Sequence, residues 1–386
     1  MRFNKILKAF LSIALSGALM LSVFNSTAYN YDTTVDLNMN GAAAGIRELG
    51  KTIQDILSGE KETSEEEKIV REKVFIGGYP VGLKLYADGV VVVGTEPVDT
   101  ENGPVDTAQI TGIMVGDIIK TFNGEKVTDN RHLSRLIEEN KGKSTTLTIS
   151  RDGEIINIPF CGAYSISEEK YKAGVWVRDS CAGIGTVTFC TKDGYFACLG
   201  HAVCDIDTKL TLPISSGECT SVHLTGYKMS KNGFAGELCG YLEEGNTGTI
   251  MLNCNIGVYG RFSMPLVENK LVDIAENNEV EVGEAEVYTT LEDGAVVSYD
   301  ARITQVNHYN TENKNLLVEI TDEELISKTG GIVQGMSGSP VIQNGMLVGA
   351  ITHVIVDNPT KGYGIFAETM MDSLENAKKS YQVNVE

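Results

Sequence analysis

The chain has 386 residues, 42% of them hydrophobic and 22% charged, with 41 Gly and 8 Pro. This is ordinary globular composition, long enough for roughly two or three domains with a sizeable core. Against 32 Lys and Arg stand 52 Asp and Glu, a formal charge of −20. So acidic a surface repels phosphate backbones, and no nucleic-acid partner is expected. At the N-terminus, Arg2, Lys5 and Lys8 precede an apolar run from Ala9 to Phe24, and Ser26-Thr27-Ala28 supplies small residues for a cleavage site. This is a secretory pattern, and the run is shorter than the ~20 residues that span a bilayer. Residues 1–28 are therefore expected to be a signal peptide, with an uncleaved membrane anchor as the alternative. Residues 29–72 are polar and acidic, with helical spacing at Ile46, Leu49, Ile53 and Ile56. They read as an acidic tether with a short helix.

Residues 73–160 alternate apolar strands with Gly turns, then carry the helical run DNRHLSRLIEENKG and a final strand pair. Gly112-Ile113-Met114-Val115-Gly116-Asp117-Ile118-Ile119, followed by the tight-turn pair Asn123-Gly124, resembles the pattern of a PDZ domain. Pro80-Val81-Gly82-Leu83 is similar to the carboxylate loop of such domains. The resemblance implies that amides of Val81, Gly82 and Leu83 form the PDZ peptide-binding loop. They would hold a peptide's C-terminal carboxylate while the peptide adds a strand to the sheet edge. His132 opens the helix beside that groove and reads as a solvent-exposed helix residue.

Residues 164–386 break into short strands between Gly, Asn and Asp turns, among them GVWVRD, GIGTVTF, YFACLG, TGTIMLNC and LVGAITHVIV. That spacing, with one helix expected at 366–379, points to an all-β sandwich or barrel. The eight cysteines fall between Cys161 and Cys254, and none sits in a C-x-x-C metal pair. Buried free thiols and a Cys198–Cys204 bridge around His201 are both compatible with the spacing. No metal and no cofactor are called for.

Hydrolysis of a peptide bond by serine needs an exposed hydroxyl on a sharp turn, a base, and donors for the developing oxyanion. Gly335-Met336-Ser337-Gly338-Ser339-Pro340 supplies the turn, and its glycines permit backbone conformations closed to other residues. The run resembles the nucleophile loop of chymotrypsin-like proteases. The resemblance makes Ser337 the nucleophile and the N–H groups of Gly335 and Ser337 the oxyanion hole. Met336 stands where digestive enzymes of this type carry an aspartate that pairs with a freshly cut N-terminus, so this loop must be set another way. The Asn344-Gly345 turn leads into LVGAITHV, similar to the substrate-pairing strand of those proteases. Thr352 and His353 are then substrate-groove residues. Gly331 would sit by the primary specificity pocket, where the lack of a charged residue favours a small or apolar side chain.

His201 ends the apolar strand ACLGH, much as the catalytic histidine does in those enzymes, and is the candidate base. Downstream, where such chains place an aspartate, this sequence has Asn253 and Asn255. Asp205 and Asp207 lie too close to His201 to orient it. Asp322, in VEITDEELISKTGG ahead of the nucleophile, is a carboxylate that could reach the histidine from the second barrel. A carboxylate can both fix the tautomer and stabilise the imidazolium, where an amide could only orient.

The exported PDZ-like segment followed by GIGTVTF, LGHAVCDIDT, ITDEELISKTGGIVQGMSGSPVIQNG and LVGAITHVIVDNPTKGYGIFAE is similar to the stage IV sporulation protein B family of endospore-forming bacteria. The resemblance implies a catalytic triad of Ser337, His201 and Asp322, with Asn255 as a helper. It implies a mainly β chain: a PDZ domain at 73–160, then a chymotrypsin-like double β-barrel peptidase at 164–386. It further implies an endopeptidase exported across the forespore membrane into the space between the two forespore membranes. There it would cleave itself and the inhibitory partner of an intramembrane protease in a membrane-bound processing complex, so that pro-sigma-K is processed. The alternative is a non-catalytic exported PDZ scaffold with a degenerate protease fold. Quality-control proteases with PDZ domains carry them after the catalytic domain, not before it.

Overall fold

The computed structural model describes residues 71–264, 270–292, 294–310 and 312–385. The expected signal peptide, and the tether apart from its last two positions, lie outside the described residues. The described residues belong to one compact unit. It is built mainly from β-strands and closes into two barrels of six strands each, as expected for a double-barrel peptidase.

The first barrel is formed by β1 (Pro80–Thr95), β2 (Val175–Cys190), β3 (Tyr195–Cys198), β4 (Ile214–Thr220), β5 (Gly248–Cys254) and β6 (Gly257–Phe262). The strands pair in the order β1-β2-β3-β6-β5-β4 and return to β1. Leu83, Leu85, Val187, Phe196, Cys198 and Cys219 fill its interior. The second barrel is formed by β7 (Gly283–Thr289), β8 (Val297–Val306), β9 (Leu316–Ile320), β10 (Pro340–Gln343), β11 (Met346–Val354) and β12 (Lys361–Phe366). Asn344 and Gly345 both have positive φ, 52° and 79°, and make the tight β10–β11 hairpin that an Asn-Gly pair favours. A C-terminal helix, Ala367–Val385, covers an apolar seam through Met370, Met371 and Leu374.

A smaller α+β module is inserted between β1 and β2. Its core gathers Val90, Ile119, Phe122, Leu133, Leu147 and Phe160. Two helices pack on it, Thr107–Thr111 and Asn130–Asn140, capped by Asp106 and Asp129. Asp117, at the heart of the glycine-aspartate motif, is 1% exposed and held by Arg151 at 2.7 Å. Asn123 and Gly124 have positive φ, 53° and 81°, as their hairpin requires.

The expected boundaries and the peptide-binding loop are corrected here. Val81, Gly82 and Leu83 do not form a carboxylate loop. They lie in β1 within the first barrel, opposite Gly185, Ile184 and Gly183 on β2. On the other side Gly82 and Leu83 pair with Thr220 and Cys219 of β4. A strand paired on both edges has no amides to offer a carboxylate. The 73–160 and 164–386 division fails for the same reason, because the first barrel takes its opening strand from before the module. The module half of β1 is also covered: Val175 and Val177 of β2 pair with Thr95 and Val92 and pack on the module core. GVWVRD and GIGTVTF, which read as separate strands, are one continuous β2.

Candidate active site

Ser337 and His201 both line one cleft of about 420 Å³ between the barrels. Ile184, Leu199, Ile332, Val333, Val354 and Val356 line the rest of it, with Thr352 and His353. The loop carrying Ser337 is tied down from two sides. From β2, Thr186 donates its hydroxyl to the Gly335 carbonyl at 2.6 Å and its N–H to the Ser337 carbonyl at 3.1 Å. Thr188 donates its hydroxyl to the Gly338 carbonyl at 2.8 Å. From the second barrel, the Ile351 carbonyl accepts from Gly338 N–H at 2.7 Å. Gly338 is required, since a Cβ there would lie 2.0 Å from the Thr186 oxygen.

Within the loop, the amides of Met336 and Ser339 donate to the carbonyls of Val333 and Met336. The amides of Gly335 and Ser337 have no acceptor among the described residues. They are therefore available to an oxyanion, the role expected of them. Met336 is fully buried in the core of the second barrel, and its sulfur lies 3.5 Å from Val333 N–H. The position that carries an aspartate in digestive enzymes thus seats the loop by apolar burial.

The Ser337 hydroxyl donates to the Thr352 carbonyl at 2.7 Å. The ring of His201 has its Nδ1 at 2.8 Å from the Ala202 carbonyl. A carbonyl can only accept, so Nδ1 carries the proton and Nε2 keeps its lone pair, the tautomer a general base needs. Burial pushes the His201 imidazole below its ordinary range, only partly countered by that carbonyl. It is thus neutral at pH 7. His353 lies against it, tilted by 36° with ring centroids 4.8 Å apart. Burial, then His201 and Lys314, push the His353 imidazole down to about 4. His201 follows Leu199 and Gly200, both left-handed at φ 69° and 68°. That conformation is costly for a leucine and is held here by the surrounding packing.

Asp322 is not brought to His201. It is the N-cap of the helix Glu323–Thr329, where its side chain accepts from Leu325 N–H at 2.8 Å and Asp300 N–H at 3.4 Å. It lines neither the nucleophile cleft nor the recess beside it. Asn255 does line that recess with His201, but its amide oxygen accepts from Thr211 at 3.3 Å. Gly331 is buried beside the Pro359 carbonyl, and the cleft wall there is made by Ile332 and Val333. His132 lies in the module and contacts Glu125 at 3.1 Å.

Three contributors escape the motifs. Thr186 braces the oxyanion loop. Asn253, 8% exposed, holds the loop after His201 through the Val203 N–H and the carbonyls of Val203 and Leu212. Asn313 donates to the carbonyls of Gly200 and Asn255 at 3.0 and 2.9 Å. All eight cysteines are free thiols, with Cys190, Cys198 and Cys219 buried.

A family model described as SpoIVB peptidase S55 matches residues 169–371. No curated protein matches the chain at a significant level. Among solved structures, the HtrA-type protease AlgW with decapeptide is 7% identical with a TM-score of 0.32, the match covering 52% of this chain and 55% of that one. The active form of the Rv3671c protease from M. tuberculosis is 14% identical with a TM-score of 0.31, covering 51% and 74%. The chain thus spans about half the length, 55%, of the first of these.

Proposed function

We propose a function from one premise: this chain belongs to the SpoIVB peptidase S55 family, and it is a serine peptidase. In the proposed mechanism the Ser337 hydroxyl turns off the Thr352 carbonyl toward His201 Nε2, which takes its proton as Oγ attacks the scissile carbonyl. The amides of Gly335 and Ser337 receive the oxyanion. The imidazolium then returns the proton to the leaving amine, while Nδ1–H stays on the Ala202 carbonyl. A backbone carbonyl orients the base here, the task a carboxylate performs in a triad.

The observation that carries this reading is the convergence on one cleft of Ser337, a base in the correct tautomer, and two uncommitted amides. Replacing Ser337 by Ala should abolish labelling by a fluorophosphonate and slow self-cleavage by several orders of magnitude. The unfolding transition should not move. Cleavage by that variant at the wild-type rate would overturn the assignment.

The finer reading rests on the family and on the secretory pattern of residues 1–28. The enzyme is a signalling endopeptidase of endospore formation, acting in the space between the forespore membranes. It cleaves itself and the inhibitory partner of an intramembrane protease, which frees pro-sigma-K processing. The inserted module is its PDZ domain. Recognition of peptide termini there requires residues 175–178 of β2 to give up the edge they fill.

A further inference from the structure

The base and the nucleophile come from different barrels, and their hydroxyl and imidazole do not touch in this state. A short chain of hydrogen bonds nevertheless connects their backbones. The Ser337 hydroxyl donates to the Thr352 carbonyl at 2.7 Å. The Thr352 hydroxyl donates to the Asn313 carbonyl at 3.0 Å. The Asn313 amide nitrogen donates to the Gly200 carbonyl at 3.0 Å and the Asn255 carbonyl at 2.9 Å. Gly200 directly precedes His201, and Thr352 is fully buried. Asn313 therefore binds the base loop of the first barrel with its side chain and the nucleophile wall of the second with its backbone.

We infer that Asn313 is a positioning residue for the peptidase reaction, setting the distance and angle at which His201 Nε2 receives the Ser337 proton. It acts through the backbone and touches neither reacting atom. The cost of a misplaced base is large, because small displacements of a catalytic group lower rates steeply. Two donations from one amide to two carbonyls also explain why asparagine suits the position. An aspartate of the same shape has no N–H to give and would set a carboxylate against both oxygens. It would also place a negative charge in the recess that His201, Glu312, Lys314 and His353 share.

The inference rests on Ser337 and His201 doing the chemistry, and the test separates the two ideas. The probe is a fluorophosphonate, followed as a saturating inactivation rate and a half-saturating concentration over a range of pH, with the described chain intact. Failure of the wild type to label at Ser337 would sink the mechanism itself. If the wild type labels, Asn313→Ala should lower the saturating rate about tenfold or more with the half-saturating concentration unchanged. Asn313→Asp should do the same and also move the acidic limb to higher pH, since a nearby carboxylate favours the imidazolium. Thr352→Val breaks the same chain isosterically inside a well-packed strand. Its loss should be similar, and less than additive with Asn313→Ala. Labelling of all three at the wild-type rate, or a loss confined to melting temperature and the fraction of active protein, would overturn the inference.

Discussion

Asp322 illustrates how one side chain can fit two readings of a sequence. As a carboxylate ahead of the serine loop it resembles a triad member; in the structure it caps a helix. The signs of a cap were also present: acidic Glu323 and Glu324 in the first turn, Lys328 in the last, and Gly330 beyond it at φ 73°. Asparagine caps about as well as aspartate, so Asp322→Asn should keep near-wild-type labelling and melting temperature. Asp322→Ala should lose about 1 kcal/mol of stability, seen in denaturant unfolding. A collapse of labelling in Asp322→Asn would restore the triad. For His201 the direction of the pKa shift sets the pH profile. A neutral base persists below the usual histidine range, so the acidic limb of the labelling rate should lie below about 6.5. Between that value and the lowered one the unfolded chain binds more protons than the folded one. The stability it contributes is therefore present above about 6.5 and is lost as pH falls. His353, at about 4, adds to the same loss. Ser337 and His201 were legible because nucleophile and base each need a turn of distinctive composition. Asn313 was not, because its meaning comes wholly from partners far away in the chain.

At the scale of elements, β2 joins regions that a strand reader separates. The polar run Asp179-Ser180-Cys181 interrupts its apolar pattern, and the register shifts between Arg178 and Ser180. The interruption marks the passage from module to barrel, where Arg178 pairs with Asp205 at 3.0 Å. Further on, Thr186 and Thr188 read as ordinary β-branched strand formers, yet both brace the oxyanion loop. Thr186→Val keeps the shape and removes the bond to the Gly335 carbonyl. It should cost about 1 kcal/mol of stability. It should also slow the saturating labelling rate by about tenfold, a fraction of what loss of an oxyanion donor costs. An unchanged rate would show that β2 supports the loop's fold alone.

For the whole molecule, turn spacing disclosed a β-rich sandwich or barrel, the protease resemblance made it a double barrel, and the helix expected at 366–379 is present as Ala367–Val385. The insertion was hidden because no loop announces it: β1 and β2 run unbroken from barrel to module. Tyr86 and Ser180 are cross-strand partners just inside the barrel. Joining them by Asn-Gly in place of the intervening residues should leave a folded peptidase that still labels at Ser337, as judged by labelling and a cooperative melt. Loss of both would mean that the barrel depends on the module. The thiols give an independent check. Cys161 and Cys204 are exposed, whereas burial pushes Cys190 and Cys219 up to about 12. A thiol reagent should modify the exposed pair first in the native protein and the buried ones only on unfolding.

The buried sulfur of Met336 has a thermal consequence. A loop fastened by an ion pair slackens as salt is added. One fastened by a buried thioether is indifferent to moderate salt and loses hold on cooling, because apolar burial near room temperature is driven by the entropy of water. The part of this oxyanion loop's seating that rests on Met336, beside the hydrogen bonds from Thr186 and Thr188, is thereby coupled to warmth.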